Sequence, residues 1–91
     1  MLVAVVHITF ELPEVCGLKE RRKYLNSIKE RLRNFNVSVL DISKEYPREG
    51  ELALSFLALS EVDIQKKVQN IEEMLQKRYP EIEFDLDVEL L

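Results

Sequence analysis

The residues with the clearest chemical potential are basic side chains that recur along one short segment, residues 17–35. Seven basic and two acidic residues give this segment a formal charge of +5, while the other six basic and fifteen acidic residues give −9, which sums to the net −4 of the chain. Cationic side chains spaced along one face can neutralise successive phosphates of a nucleic acid. Because the chain as a whole is acidic, any such contact must depend on this local cluster.

Helical spacing places five of these basic residues on one flank of the segment, where they could follow a phosphate backbone. The alternative is a solvated face whose long side chains only cover the edge of the core, and the sequence leaves both interpretations open. No RNP-like aromatic pair, zinc knuckle or Gly-x-x-Gly loop accompanies them. These candidates for RNA binding, called the basic flank below, are Lys19, Arg22, Lys23, Lys29 and Arg33.

Arg21, His7 and Cys16 could each carry chemistry, but each has a simpler structural explanation. Arg21 falls between Leu18 and Leu25 on the docking side of the helix, so we expect it to reach a carboxylate in a structural ion pair. His7 lacks a second His or Cys that could complete a metal or nucleophilic site with it, which favours a packed or interface His. Cys16 is the only cysteine, so an intrachain disulfide is impossible and an inert thiol is expected.

Five acidic residues alternate along the last predicted strand, at residues 81–90. Separate carboxylates on a flat strand do not converge on one ion, so we expect these acids to protect a sheet edge against pairing with other sheets. The sequence also lacks a Gly-rich phosphate loop, a Ser/His/Asp set and metal-ligand spacing. It therefore predicts a protein that is not an enzyme and has no catalytic residues, metal or cofactor.

Six elements must position these residues, and hydrophobic periodicity defines them. Alternation over residues 2–12 predicts a strand with one fully apolar face, and residues 17–35 repeat apolar positions at a helical period. Ser60 is the expected N-cap of a second helix, which ends at Tyr79 because Pro80 disfavours helical geometry before it. Three further strands are predicted over residues 37–42, 52–59 and 81–90, with a turn at residues 45–50.

The order βαββαβ predicts an α+β, ferredoxin-like fold, with a four-stranded antiparallel sheet and two helices on one face. It should form a single domain over residues 1–91, with strands one and three central. The strand at 37–42 changes its apolar parity, so it is either bulged or apolar on both faces. The residues expected to bind the helices to the sheet are Leu18, Leu25, Ile28, Leu32 and Phe35 in the first helix, and Ile64, Val68, Ile71 and Leu75 in the second.

The face of the sheet without helices carries apolar side chains of a kind that monomers seldom expose. We therefore expect a homodimer that covers this face or pairs an exposed edge, with His7 at or near the interface. The interface candidates are Val3, Val5, His7, Leu57 and Leu59.

Three strings resemble the YlxP-like family of small bacterial proteins, a domain of unknown function: residues 18–22 (LKERR), residues 36–39 (NVSV) and residues 88–91 (VELL). The resemblance covers essentially the whole chain. It implies the ferredoxin-like fold and a cytoplasmic bacterial protein, and members of the family are often encoded near translation and ribosome-maturation factors. Gly17 stands where that family commonly has Ser, so a side-chain N-cap for the first helix is lost.

Three hypotheses for function follow from these observations. The first is an uncharacterised, non-enzymatic accessory factor that contacts rRNA or a ribosomal particle through the basic flank. The second is a dimeric protein-interaction module with no role in nucleic-acid binding, and the third is a small-molecule enzyme or sensor that uses the surface near His7. No apolar stretch reaches membrane-spanning length and no secretory signal pattern is present, so we expect a cytoplasmic protein without a membrane partner.

Overall fold

The computed structural model describes residues 1–13 and 17–91. The expectation for Cys16 lies outside these residues. The predicted element order βαββαβ is confirmed, as is the ferredoxin-like fold. The elements are β1 (Leu2–Glu11), α1 (Leu18–Arg33), β2 (Ser38–Asp41), β3 (Glu49–Ala58), α2 (Glu61–Arg78) and β4 (Glu83–Leu90).

The four strands form an antiparallel sheet in the order β2-β3-β1-β4, so β1 and β3 are central as predicted. β1 pairs with β3 along its whole length, from Leu2 opposite Ala58 to Glu11 opposite Glu49. β3 begins at Glu49, earlier than the sequence predicts, because the residues after the turn continue this pairing with the end of β1. β2 and β4 are left as the two edges of the sheet.

The core lies between the helices and one face of the sheet, which we call the inner face. The alternating residues of β1 and β3 that point to this face are almost inaccessible to solvent, as shown by Val6, Ile8 and Leu52. The helices close the core with the predicted stripes, because their apolar residues at helical spacing remove hydrocarbon surface from water. The buried helical residues are Leu25, Ile28 and Leu32 in α1, and Ile64, Val68, Ile71 and Leu75 in α2.

Two details of the predicted packing differ in the structure. Leu18 is 45% exposed, so its predicted place in the core stripe is wrong. Leu18 is the first residue of α1, so no preceding helical turn packs against its side chain, which leans toward the helix N-terminus. β2 is not bulged, because its register with β3 is regular, and it is apolar on both faces, with Leu40 64% exposed on the side away from the helices.

The helix ends are formed as their sequences indicate. The Ser60 hydroxyl accepts a hydrogen bond from the Asp63 N–H at 3.2 Å and so caps α2. α1 follows Gly17, which has φ 101° and ψ −173° and makes no side-chain cap. This backbone conformation is open almost only to glycine. Neither helix has the length and apolar character that a membrane span requires, within the residues described.

Candidate nucleic-acid interface

A hydrogen-bonded cluster identifies the side of α1 that faces α2. The Tyr79 hydroxyl, at the end of α2, lies 2.7 Å from the Ser27 hydroxyl and accepts a hydrogen bond from Arg31 Nε at 3.1 Å. Tyr79 is only 8% exposed, so these partners satisfy a phenol that is otherwise surrounded by the core. Ser27 and Arg31 therefore mark the flank of α1 that is covered by the second helix.

Four members of the basic flank lie on the opposite side of α1, whereas Lys23 lies one helical turn before Ser27 and is exposed. A helix turns through about 100° per residue, so Arg22 and Arg31, nine residues apart, project in directions about 180° apart. Lys19 and Arg33, the first and last members of the basic flank, are exposed. Lys29 is half-buried because it lies nearest to the core stripe. None of the five residues forms an ion pair within residues 1–13 and 17–91. The structure thus brings the predicted basic residues together on a surface that α2 leaves open.

The geometry of this surface suits a phosphate backbone. From Lys19 to Arg33 the flank extends about 21 Å along the helix axis, at a rise of about 1.5 Å per residue. Long, flexible cationic side chains along such a line can each approach a separate phosphate, and each neutralised phosphate releases counterions. The flank can therefore provide a polyanion-binding surface, without the base-specific contacts that sequence readout requires.

Arg21 is a structural residue, but its partners are not the predicted carboxylate. Its Nη1 group, which has two hydrogens to share, lies within hydrogen-bond distance of three main-chain carbonyl oxygens, those of Lys44 at 2.5 Å, Tyr46 at 2.8 Å and Glu49 at 3.1 Å. All three belong to the connection between β2 and β3 or to the first residue of β3. Arg21 therefore fastens this connection to the N-terminal half of α1, using the strong hydrogen bonds that a charged donor makes.

This attachment brings a segment with two further exposed side chains, which no sequence pattern marks, next to the N-terminal half of α1. Lys44 and Tyr46 both have their carbonyl oxygens on Arg21, so the segment that carries them lies against the first turns of α1. Lys44 is exposed and the Tyr46 side chain is 68% exposed. Exposed aromatic rings and cationic side chains are the groups with which proteins stack unpaired bases and hold the adjoining phosphates.

The interface candidates lie on the other side of the sheet, which we call the open face. Val3 and Val5 are half-buried there, and Leu57, opposite Val3 in the register, is 60% exposed. Leu59 follows the end of β3 and is 79% exposed. Because the sheet separates this face from the helices, the structure does not join the interface candidates and the basic flank into one site.

His7 lies on the open face, between the apolar end and the acidic end of β1. Its Nε2 atom is 3.0 Å from an Oε2 atom of Glu51, which is the diagonal neighbour on β3. His7 is thus exposed with a carboxylate partner, and not packed as an isolated ring. Within the part of the chain that the structure describes, no three His, Cys, Asp or Glu side chains are grouped as metal ligands.

Comparison with known proteins gives a family without an assigned activity. A family model matches residues 3–88, and its description reads "Protein of unknown function (DUF503)". The expectation of a family of unknown function is confirmed, whereas the YlxP-like name is not carried by this match and stays an expectation. No curated protein matches the chain.

Solved structures share the fold at low sequence identity. A de novo designed protein with a ferredoxin fold is 16% identical, with a TM-score of 0.61, over 97% of this chain and 85% of that one. A protein from Shewanella oneidensis is 14% identical, with a TM-score of 0.56, over 97% and 90% of the two chains. A dimeric ferredoxin-like protein from an uncultured marine organism is 12% identical, with a TM-score of 0.50, over 98% and 92%. These similarities support the fold and carry no activity with them.

Proposed function

This chain belongs to the DUF503 family of proteins of unknown function, and we propose from its own surface that it is a non-enzymatic cytoplasmic factor that binds RNA, free or within a ribosomal particle. The observation that carries the proposal is the basic flank, which is uncovered by α2 and free of ion pairs within the described residues. A charge of +5 in residues 17–35 against −9 elsewhere directs any polyanion to this helix.

Two further observations support an RNA target. The exposed ring of Tyr46 lies on the segment that Arg21 fastens beside the basic flank, where an unpaired base could stack while its phosphates meet the cations. The resemblance to the YlxP-like family, whose members are often encoded near translation and ribosome-maturation factors, favours a ribosomal particle as the source of that RNA.

Association with RNA should be electrostatic and should weaken steeply with salt. If the flank neutralises three to four phosphates, the logarithm of the binding constant should fall against the logarithm of salt concentration with a slope of about −2 to −4. Titration of a labelled single-stranded RNA at several salt concentrations measures this slope. Co-sedimentation with ribosomal particles, with and without nuclease, then tests whether the particle is held through RNA. Absence of association with both RNA and particles at low salt would contradict the proposal.

The second candidate function, a dimeric interaction module, is favoured by the apolar end of the open face. Val3 and Leu57 are directly opposite each other on β1 and β3. On the other side of β1, the Leu91 N–H donates a hydrogen bond to the Val3 carbonyl oxygen at 3.0 Å, so Leu91 lies next to Val3. Leu57 is 60% and Leu91 76% exposed, so this corner of the sheet presents apolar surface that a second subunit could cover. The solved structure from the marine organism is described as a dimeric ferredoxin-like protein, which supports a dimer as the form to test.

A dimer through this corner predicts a concentration-dependent mass. Sedimentation at tens of micromolar, a range typical of weak dimers, should show the dimer, and Leu57→Glu should shift it to monomer by placing a charge in the apolar contact. The matched control is Leu40→Glu, which adds the same charge to an exposed position on β2 of the same face. A purely monomeric protein across this range would remove the second candidate.

A further inference from the structure

No strand among residues 1–13 and 17–91 pairs with the outer edge of β4, and the register shows which main-chain groups point to that edge. Leu91 N–H donates to Val3 C=O at 3.0 Å, so these two residues form a hydrogen-bonded pair. Hydrogen-bonded and non-hydrogen-bonded pairs alternate along an antiparallel ladder, so the odd-numbered residues of β4 bond to β1. The main-chain N–H and C=O groups directed to the free edge are those of Phe84, Leu86, Val88 and Leu90.

An apolar groove runs beside this edge on the inner face, between β4 and α2. Its apolar lining consists of Ile64 and Val68 of α2 with Val88 and Leu90 of β4, and polar residues of α2 line it as well, namely Glu61, Gln65, Gln69 and Glu72. Val88 and Leu90 alternate to the helix side of the strand, yet they are 43% and 44% exposed on this edge strand. The groove is therefore incompletely covered hydrocarbon surface next to unpaired peptide groups.

The opposite face of the same strand is uniformly acidic. The four residues that alternate with the apolar ones are exposed, and each projects to the open face. They are Glu83, Asp85, Asp87 and Glu89. A strand added to this edge would thus meet apolar surface with one set of its side chains and a row of carboxylates with the other.

Charge decides which kind of strand fits. In a pairing of β4 with β4 of a second copy, alignment of the apolar faces would put acidic residues directly opposite acidic residues, and like charges in such cross-strand pairs are destabilising. β2 of a second copy offers only Ser38 and Leu40 to the acidic row. A strand with Lys or Arg at alternate positions would instead place a cation opposite each carboxylate.

From this geometry we propose that the β4 edge binds an extended peptide in which apolar residues alternate with Lys or Arg, as a fifth strand of the sheet. The apolar side chains enter the groove between α2 and β4, and the cations face the acidic row of β4. Main-chain hydrogen bonds to the even-numbered residues of β4 provide affinity for any extended peptide. The alternation of apolar and cationic side chains in the peptide provides specificity. The site is separate from the basic flank and goes beyond RNA binding.

The test uses an eight-residue peptide in which Lys and Val alternate, labelled for fluorescence anisotropy. The control peptide has the same composition, with all Val residues preceding all Lys residues. The alternating peptide should bind at least about tenfold more tightly than the block peptide, since only the alternating peptide satisfies groove and acidic row together. Amide hydrogen exchange measured by NMR should slow at Phe84, Leu86 and Val88, whose N–H groups point to the free edge. Equal binding of the two peptides would overturn the proposal, because net charge alone would then explain it.

Two variants test separately how the strand edge and the acidic row contribute to peptide binding. Val88→Pro removes an N–H that points to the free edge and leaves the hydrogen bonds to β1 intact, a position at which edge strands tolerate Pro. It should weaken peptide binding at least about tenfold. Asp85→Lys with Asp87→Lys should weaken it to a similar extent, since two cross-strand attractions become repulsions. The matched control, Glu30→Lys with Glu73→Lys, makes the same change in net charge on the outer surfaces of the helices and should leave binding unchanged.

Two other results would also overturn the proposal. Peptide-induced protection confined to another part of the molecule would place the peptide elsewhere. A dimer that is dissociated by Val88→Pro would show that a second copy of the chain occupies the edge. Because Asp85→Lys with Asp87→Lys alters only exposed side chains, loss of peptide binding can be measured even if Val88→Pro does not fold.

Discussion

Replacement of Leu25 by Ala should lower the free energy of unfolding by about 2–5 kcal/mol, a cost typical of Leu truncation in a packed core. Leu25 is 1% exposed and lies at the centre of the stripe by which α1 docks on the sheet. Urea or thermal unfolding measures the loss. The control is Lys19→Ala on the exposed side of the same helix, which should barely change the melting temperature. A cost for Leu25→Ala below about 1 kcal/mol would mean that this helix does not pack on the sheet through Leu25.

The packing against Leu25 can be tested from the other side of the contact. A Cβ atom added at Gly50 would lie 2.9 Å from Leu25 Cδ2, which is closer than non-bonded carbon atoms normally pack, so the buried Leu25 side chain would have to shift. Gly50→Ala should therefore destabilise the protein by about 1–3 kcal/mol, the usual cost of overpacking. In the Leu25→Ala background the added methyl enters space that the truncation opens, so the same substitution should cost less. A double-mutant cycle with additive effects would contradict this contact.

The parts of the fold that the sequence predicts are those set by local periodicity. The alternation in β1 and the stripe through Leu25, Ile28 and Leu32 each arise from one face meeting the core, and the structure confirms both. Periodicity assigns a side chain to a face, but it does not show how far the neighbouring element extends over that face. Leu18 and Val88 follow their patterns and are still 45% and 43% exposed, since Leu18 is the first residue of its helix and Val88 lies on an edge strand.

The contacts that shape the candidate site could not be predicted in the same way. The partners of Arg21 are carbonyl oxygens, which every residue has, so no sequence pattern marks Lys44 or Tyr46 as its acceptors. The contact of Tyr79 with Arg31 joins residues 48 apart in the chain and depends on how the two helices approach each other. The basic flank itself was visible in the sequence because its members share one helix. That the basic flank lies away from α2 can be seen only from the tertiary contacts between the two helices.

The molecule therefore carries opposite charges on different elements. The cations project from the side of α1 that lies away from α2, while the acidic row belongs to β4 and projects to the open face. Since the two surfaces are on opposite sides of the sheet, a polyanion and a cationic peptide could be bound together without competing for space. Substitutions at one surface should consequently leave binding at the other unchanged, apart from the long-range effect of net charge, which salt screens.

Reversal of charge at the start of the basic flank should abolish association with RNA or ribosomal particles. Lys19→Glu and Arg22→Glu are the sharpest pair, because both side chains are exposed and lie near the N-terminal end of α1. Acidic residues near a helix N-terminus interact favourably with the helix dipole, so the double variant should fold with little change in stability. Its residual binding, if measurable at low salt, should also show a shallower salt dependence, since fewer phosphates are neutralised.

The matched control places the same charge change on the other helix. Lys66→Glu with Lys77→Glu alters two exposed residues of α2. Each reversal removes two units of charge, so both double variants change the formal net charge from −4 to −8. A general repulsion between protein and RNA would weaken both variants equally, whereas a site at the basic flank predicts a much larger loss for the α1 variant. If the α1 variant retains wild-type association, the basic flank is only a solvated face, and the open face of the sheet becomes the better candidate for the working surface.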